Sequence, residues 1–241
     1  MLVLAALYVP VATATPVNVE LLMLVDVSGS IDNSEFNLQR TGYANAFFDP
    51  AVQTLIANNP GGVAASLVYW SGRNQQQVVV GWTHLFDAAS AIAFGNAIAA
   101  AARPYFGLTA VQSALAYGAP LFADNGFEGN KLIVDISGDG SDNNSPAGLL
   151  PTGGRDAALA VGAVINGLVI GTAGGPVWNY YSANVIGGGG LLYQADDFGD
   201  FDSAIRQKIF YEVGGIPEPT TWLLIGSGVI ALAWFRRKAR A

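Results

Sequence analysis

The stretch Leu21-Leu22-Met23-Leu24-Val25-Asp26-Val27-Ser28-Gly29-Ser30 decides how this chain folds. An unbroken apolar run that ends at a Gly/Ser turn predicts a strand buried on both faces, as in a parallel sheet. Asp26, Ser28 and Ser30 then fall on the loop beyond its C-terminal end, where open α/β sheets bind their ligands. One carboxylate and two hydroxyls at alternate positions can converge from a curving loop onto a small hard cation. All three offer oxygen, which suits Mg²⁺, Mn²⁺ or Ca²⁺ and suits Zn²⁺ poorly. Turn formation alone also accounts for Asp-x-Ser-Gly-Ser, because Asp and Ser are ordinary turn residues. Further ligands must decide.

Working outward, strands and helices alternate. Residues 17–25 form the first strand, and Asn33 or Ser34 caps a helix over 35–57. Asp49-Pro50 breaks that helix, since proline lacks the donor and clashes with the preceding turn. Asn59-Pro60-Gly61-Gly62 stops it. Residues 63–70 read as a second strand and 76–82 as a third, joined by a tight turn and therefore antiparallel. An alanine-rich helix over 88–102 ends at Arg103-Pro104, and Gly107-Leu108-Thr109-Ala110 opens a helix over 111–122. Residues 125–130 read as a turn and 131–136 as a fourth buried strand, which delivers Ser137-Gly138-Asp139-Gly140. After a polar loop over 142–154 come a helix (155–161), a fifth strand (164–170) and a long loop (171–184) carrying Trp178, Tyr180 and Tyr181. A short edge strand (191–194) and an amphipathic helix (198–211) complete the body. The pattern predicts one domain over 15–216 of the α/β class: a three-layer, Rossmann-like doubly wound sheet, mostly parallel with one antiparallel edge strand.

Composition supports a packed core, with 51% hydrophobic residues and 12% charged. With no cysteine, disulfides, thiolate metal sites and cysteine nucleophiles are all excluded. Residues 15–216 carry 7 basic and 17 acidic side chains. Nucleic acid needs basic patches to release its counterions, so it is excluded as a partner.

A strand order of 3-2-1-4-5-6 would set the first and fourth strands side by side at the switch point. Asp26, Ser28, Ser30, Thr109 and Asp139 would then face one crevice within reach of a single Mg²⁺, Mn²⁺ or Ca²⁺ ion. Asp135, inside the fourth strand, reads as a buried carboxylate paired for structure, or else as an acceptor behind the metal ligands. Asp142-Asn143-Asn144 reads as a turn that could also reach the metal rim. Trp178, Tyr180 and Tyr181 either cap the sheet as core or offer stacking surfaces to a partner.

The set Asp26-x-Ser28-x-Ser30, then Thr109, then Asp139-Gly140 resembles the metal-ion-dependent adhesion site (MIDAS) of von Willebrand factor A domains. Together with Glu35-Phe36, Trp70-Ser71, Gly81-Trp82, Arg155-Asp156 and Ile165-Asn166-Gly167-Leu168, it resembles the bacterial DUF1194 subfamily of these domains. The resemblance implies a metal that completes its coordination with a carboxylate from a protein or other acidic partner. The expected function is therefore a non-enzymatic, metal-dependent binding module. A metal-dependent hydrolase or phosphatase is the rival, and a structural component of an exopolysaccharide matrix is a third reading. An aspartyl-nucleophile phosphatase wants a second carboxylate where Ser28 stands. The phosphate-binding Gly-x-x-x-x-Gly-Lys and the Gly-x-Ser-x-Gly elbow are absent from the sequence, and its single histidine, His84, follows the third strand.

Both ends read as targeting segments. Residues 1–14 are apolar and close on Ala12-Thr13-Ala14, a small-x-small pattern of the kind that ends a signal peptide, although the usual positive start is missing. Pro217-Glu218-Pro219, the apolar run 222–235 and the basic end Arg236-Arg237-Lys238 resemble the PEP-CTERM sorting signal of Gram-negative bacteria. That resemblance implies a membrane-held intermediate, processing of 217–241 by an exosortase, and a mature protein at the cell surface or outside the cell.

Overall fold

The structure, a computed structural model, describes residues 13–214. Its strands are β1 (Thr15–Asp26), β2 (Val63–Trp70), β3 (Gln76–Leu85), β4 (Phe127–Gly138), β5 (Val164–Ile170) and β6 (Leu192–Ala195). Its helices are α1 (Asn33–Phe48), α2 (Pro50–Asn58), α3 (Ala88–Ala100), α4 (Val111–Gly118), α5 (Gly153–Ala160), α6 (Pro176–Asn184) and α7 (Phe201–Gly214). The strands form one sheet in the order β3-β2-β1-β4-β5-β6, with β2 and β3 antiparallel and every other pair parallel.

Side chains alternate along β1, and its apolar run fills both faces. Leu21, Met23 and Val25 pack with Tyr43 and Phe47 of α1, Phe94 of α3 and Phe201, Ile205 and Ile209 of α7. Leu22 and Leu24 point the other way, against Val111 and Leu115 of α4, Ala158 of α5 and Tyr181 of α6. Each such side chain contributes about 1.5–3 kcal/mol through burial. The strand therefore has no face it can turn to water, and its register is fixed: Val25 lies opposite Tyr69 of β2 and Ser137 of β4.

Local signals set the helix starts. Asp32 accepts from the Glu35 backbone while Glu35 reaches back to Asp32, a complete capping box for α1. Asp49 caps α2, with Pro50 in the first turn where its missing donor costs nothing. Gly61 and Gly62, with φ of +77° and +80°, make the turn out of α2 into β2.

Several expectations require correction. The long loop expected over 171–184 holds α6, which starts at Pro176 and fully buries Tyr181, while Trp178 and Tyr180 are half-buried. β4 begins at Phe127 rather than 131, because the edge of β1 at Thr15–Val17 offers partners to Phe127–Gly129. β3 runs on to Leu85 and takes in His84, whose ring bonds the Gly61 carbonyl at 2.7 Å. The helix expected over 111–122 tightens into a 3₁₀ turn after Gly118, and the last helix lies three residues further along than expected. Asp135 needs no correction: of its two readings the structure gives pairing for structure, 2.7 Å from Lys208 Nζ. The two targeting segments lie outside the described residues, apart from Thr13 and Ala14. Among the described residues no helix is long and apolar enough to cross a membrane.

Candidate metal centre

The sheet brings the five expected ligands to one place. Asp26 ends β1, and Ser28 and Ser30 follow on the loop into α1. Thr109 precedes α4, and Asp139 follows β4. Their oxygens form a continuous chain: Thr109 Oγ1 to Ser28 Oγ at 3.3 Å, Ser28 Oγ to Ser30 Oγ at 3.1 Å, and Ser30 Oγ to Asp139 Oδ1 at 2.8 Å. Asp26 is fully buried and bonded to the same loop. Its Oδ1 accepts from the Ser28 backbone N–H at 2.7 Å, while its Oδ2 is buried with no partner.

That orphaned oxygen is costly. A buried acceptor without a donor loses its hydration and gains nothing in exchange. Burial, reinforced by repulsion from Asp139, pushes the Asp26 carboxyl up to about 8; the Ser28 N–H and the Arg103 charge only partly oppose this. A cation among these oxygens would supply the missing charge, so the donor set fits a hard divalent ion. Among the described residues no three Asp, Glu or His side chains gather as a metal cluster. Here two carboxylates are joined by three hydroxyls, so hydroxyl oxygen must make up most of the shell.

Close backbone approach holds the loops together. Gly29 donates to the Gly107 carbonyl at 2.8 Å, and a Cβ at Gly29 would lie 3.2 Å from the Phe106 carbonyl oxygen. Asn143 Oδ1 accepts from the Thr109 N–H at 3.0 Å, and the Asn143 N–H donates to the Thr109 carbonyl at 2.9 Å. Asp142 and Ser145 cap α4 from outside it, accepting from the N–H groups of Gln112 and Ser113. The 142–144 turn thus orients Thr109 and α4. Sequence reasoning missed two further supports. Gln39 donates to the Asp26 carbonyl at 3.1 Å, and Arg103 donates to the carbonyls of Val27, Ser28 and Ile31. Neither position carries a local signal, because each acts across many residues of chain.

A family model described as a protein of unknown function (DUF1194) matches residues 16–217, and the PEP-CTERM protein-sorting motif matches residues 215–238. The comparison with curated proteins gives no significant match. Among solved structures, the chain is similar to proximal thread matrix protein 1 from the mussel byssus with a zinc-occupied MIDAS motif. The identity is 20%, the TM-score 0.58, and the match covers 83% of this chain and 46% of that one. It is also similar to the pilus adhesin SpaC from Lactobacillus rhamnosus GG (15% identity, TM-score 0.58, 81% of this chain, 30% of that one). A von Willebrand factor type A protein from Catenulispora acidiphila gives 19% identity and a TM-score of 0.58 over 82% of this chain and 43% of that one. The chain spans less than half the length of these structures, and at such identities the likeness shows the fold alone. The family match and the sheet order agree: the chain belongs to the DUF1194 family and has the von Willebrand factor A fold.

Proposed function

We propose that this is an exported, adhesion-type module that binds a carboxylate of its partner through one divalent metal held by Asp26, Ser28, Ser30, Thr109 and Asp139. The observation that carries the reading is a chain of four hydroxyl and carboxylate oxygens on the same loops as a buried Asp26 carboxylate whose Oδ2 has no partner. The donors, two carboxylates and three hydroxyls, are all oxygen, which suits Mg²⁺, Mn²⁺ or Ca²⁺. Two carboxylates neutralise the ion, and a protein that offers only five side-chain ligands leaves a position for water or for a partner's acid.

The site offers recognition without chemistry. The one carboxylate bonded to its hydroxyls, Asp139 on Ser30, is assigned to the metal in this reading, and His84 of β3 is held by the Gly61 carbonyl at the β3 edge of the sheet. The sorting motif implies export, exosortase processing and a surface or extracellular location. Two of the similar structures are a pilus adhesin and a thread matrix protein, which supports adhesion as the class of function. Calorimetric titration of the metal-free protein with Mg²⁺ tests the reading. Saturable one-site binding that EDTA reverses supports it, and no uptake of Mg²⁺, Mn²⁺ or Ca²⁺ at millimolar concentration refutes it.

A further inference from the structure

Arg103 follows α3, and in sequence it reads only as a helix end. In the structure its guanidinium gathers the carbonyls of the metal loop. Nη2 donates to Val27 at 3.0 Å, Ser28 at 2.7 Å and Ile31 at 2.8 Å, and Nη1 donates to Asp32 at 3.4 Å. Nε donates to the Tyr105 carbonyl at 3.1 Å, which ties the same group to the segment leading to Thr109. Phe106 lies over the guanidinium at 3.8 Å, with Phe36 further off at 5.5 Å. Phe106 is 63% exposed, so its ring covers the guanidinium from the solvent side.

We infer that Arg103 is the positioning residue of the metal site, clamping the 27–32 loop so that the Ser28 and Ser30 hydroxyls converge. The inference rests on the metal reading above. Four carbonyls of this loop, those of Val27, Ser28, Ile31 and Asp32, are bonded to the one guanidinium, which fixes the backbone from which the Ser28 and Ser30 hydroxyls project. Only a planar fork with five N–H donors serves several carbonyls on two segments at once; a lysine ammonium is a compact donor and does not replace it. The Phe106 ring adds a cation–π contact to the guanidinium, which favours this placement of the fork. A positive group beside a cation site costs Coulomb energy, so fixing the loop geometry must outweigh that repulsion.

The test compares Arg103→Lys and Phe106→Ala with the unaltered protein, titrating Mg²⁺ and Ca²⁺ separately and melting each protein without metal. Arg103→Lys should weaken Mg²⁺ binding by about 10–100-fold, the usual effect of losing a group that orients a ligand. Ca²⁺ should lose less, because it accepts longer and less regular coordination. Phe106→Ala keeps the guanidinium, so its loss should be smaller with the same preference, and it serves if Arg103→Lys does not fold. Unchanged Mg²⁺ affinity in both variants overturns the inference. So does an equal loss for both metals that tracks a lowered melting temperature, because that marks general loosening. If the unaltered protein binds no divalent ion, the metal reading has failed, and amide exchange in the metal-free protein still tests the clamp. Faster exchange at Gly29 and Ile31 in Arg103→Lys supports it, and unaltered exchange overturns it.

Discussion

Lys208 Nζ lies 2.7 Å from Asp135 Oδ2 with both side chains fully buried, which fastens α7 to the centre of the sheet. The same ammonium donates to Glu212 at 2.8 Å, and Asn166 donates to that carboxyl at 2.9 Å. One cation therefore serves two acids in the interior. Lys208→Met removes the charge and leaves Asp135 buried without a counter-ion, so it should cost about 3–5 kcal/mol in urea unfolding. A loss below 1 kcal/mol (on the order of a surface pair) would show that the pair contributes nothing net.

Glu212 gives this cluster a pH dependence. Burial, with repulsion from Asp135 and against the pull of Lys208, raises its carboxyl from the ordinary 4.5 to about 8. The folded state thus keeps a proton that the unfolded chain releases, and stability must fall wherever the native state binds more protons. The contribution is whole below pH 4.5 and is lost as pH rises through 8. Asp26 acts in the same direction without metal, so the difference between the unaltered protein and Glu212→Gln isolates the residue. Urea midpoints from pH 5 to 9 should fall less steeply in Glu212→Gln, and parallel slopes would contradict the assignment.

Removal of Asp26 tests the metal centre itself. A ligand at a hundredfold excess over its Kd stabilises by about 2.7 kcal/mol, or roughly 5–10 °C for a domain of this size. Asp26→Ala should melt as a folded protein and lose that Mg²⁺-dependent shift. In the unaltered protein the proton competes with the metal at a carboxyl raised to about 8. Mg²⁺ affinity should therefore drop about tenfold for each pH unit below that value, with about one proton released on binding. A full Mg²⁺ shift in Asp26→Ala would remove the site from consideration.

What was legible in the sequence follows from range. The run Leu21–Val25 is apolar without a break, so its burial on both faces and its central place in the sheet could be read locally. That Asp26, Ser28, Ser30, Thr109 and Asp139 meet could be read as well, because each stands at a strand end or helix start marked by Gly, Ser or Thr. The helix α6 was hidden by glycines on both sides and by aromatic residues of modest helix propensity; Pro176 in its first turn was the available signal. Lys208 and Arg103 were missed because the partners that give them their roles, Asp135 and the 27–32 loop, lie far along the chain. For Lys208 the one hint was Asp135 itself, a charge inside an apolar strand that required a counter-charge from somewhere.

Gly138 should tolerate no side chain. A Cβ there would stand 2.5 Å from Tyr181 Oη and 2.9 Å from Asp26 Oδ2, two buried groups that both lack hydrogen-bond partners. Gly138→Ala should cost about 1–3 kcal/mol, as overpacking generally does, and should displace the Asp26 carboxylate enough to abolish Mg²⁺ binding. Adding Tyr181→Phe removes one of the two clashing oxygens. The double variant should regain part of the stability but none of the metal affinity, since Asp26 is still crowded. Normal Mg²⁺ binding in Gly138→Ala would show that the carboxylate is free to move.

The sorting motif predicts where the mature chain ends. Its match covers residues 215–238, and α7 closes at Gly214, so cleavage near Pro217 would leave every described element intact. The apolar run 222–235 holds 14 residues, short of the roughly 20 that span a bilayer, although arginines at its end can reach back to the headgroups. If this segment is held in a membrane, the positive-inside rule would keep the basic end at Arg236, Arg237, Lys238 and Arg240 in the cytoplasm and the acidic domain outside. Such a segment suits a temporary hold better than a permanent anchor. Intact-mass spectrometry of protein from the cell surface should find a chain ending near Pro217. A chain that still ends at Ala241 would mean that the segment anchors the protein and is not removed.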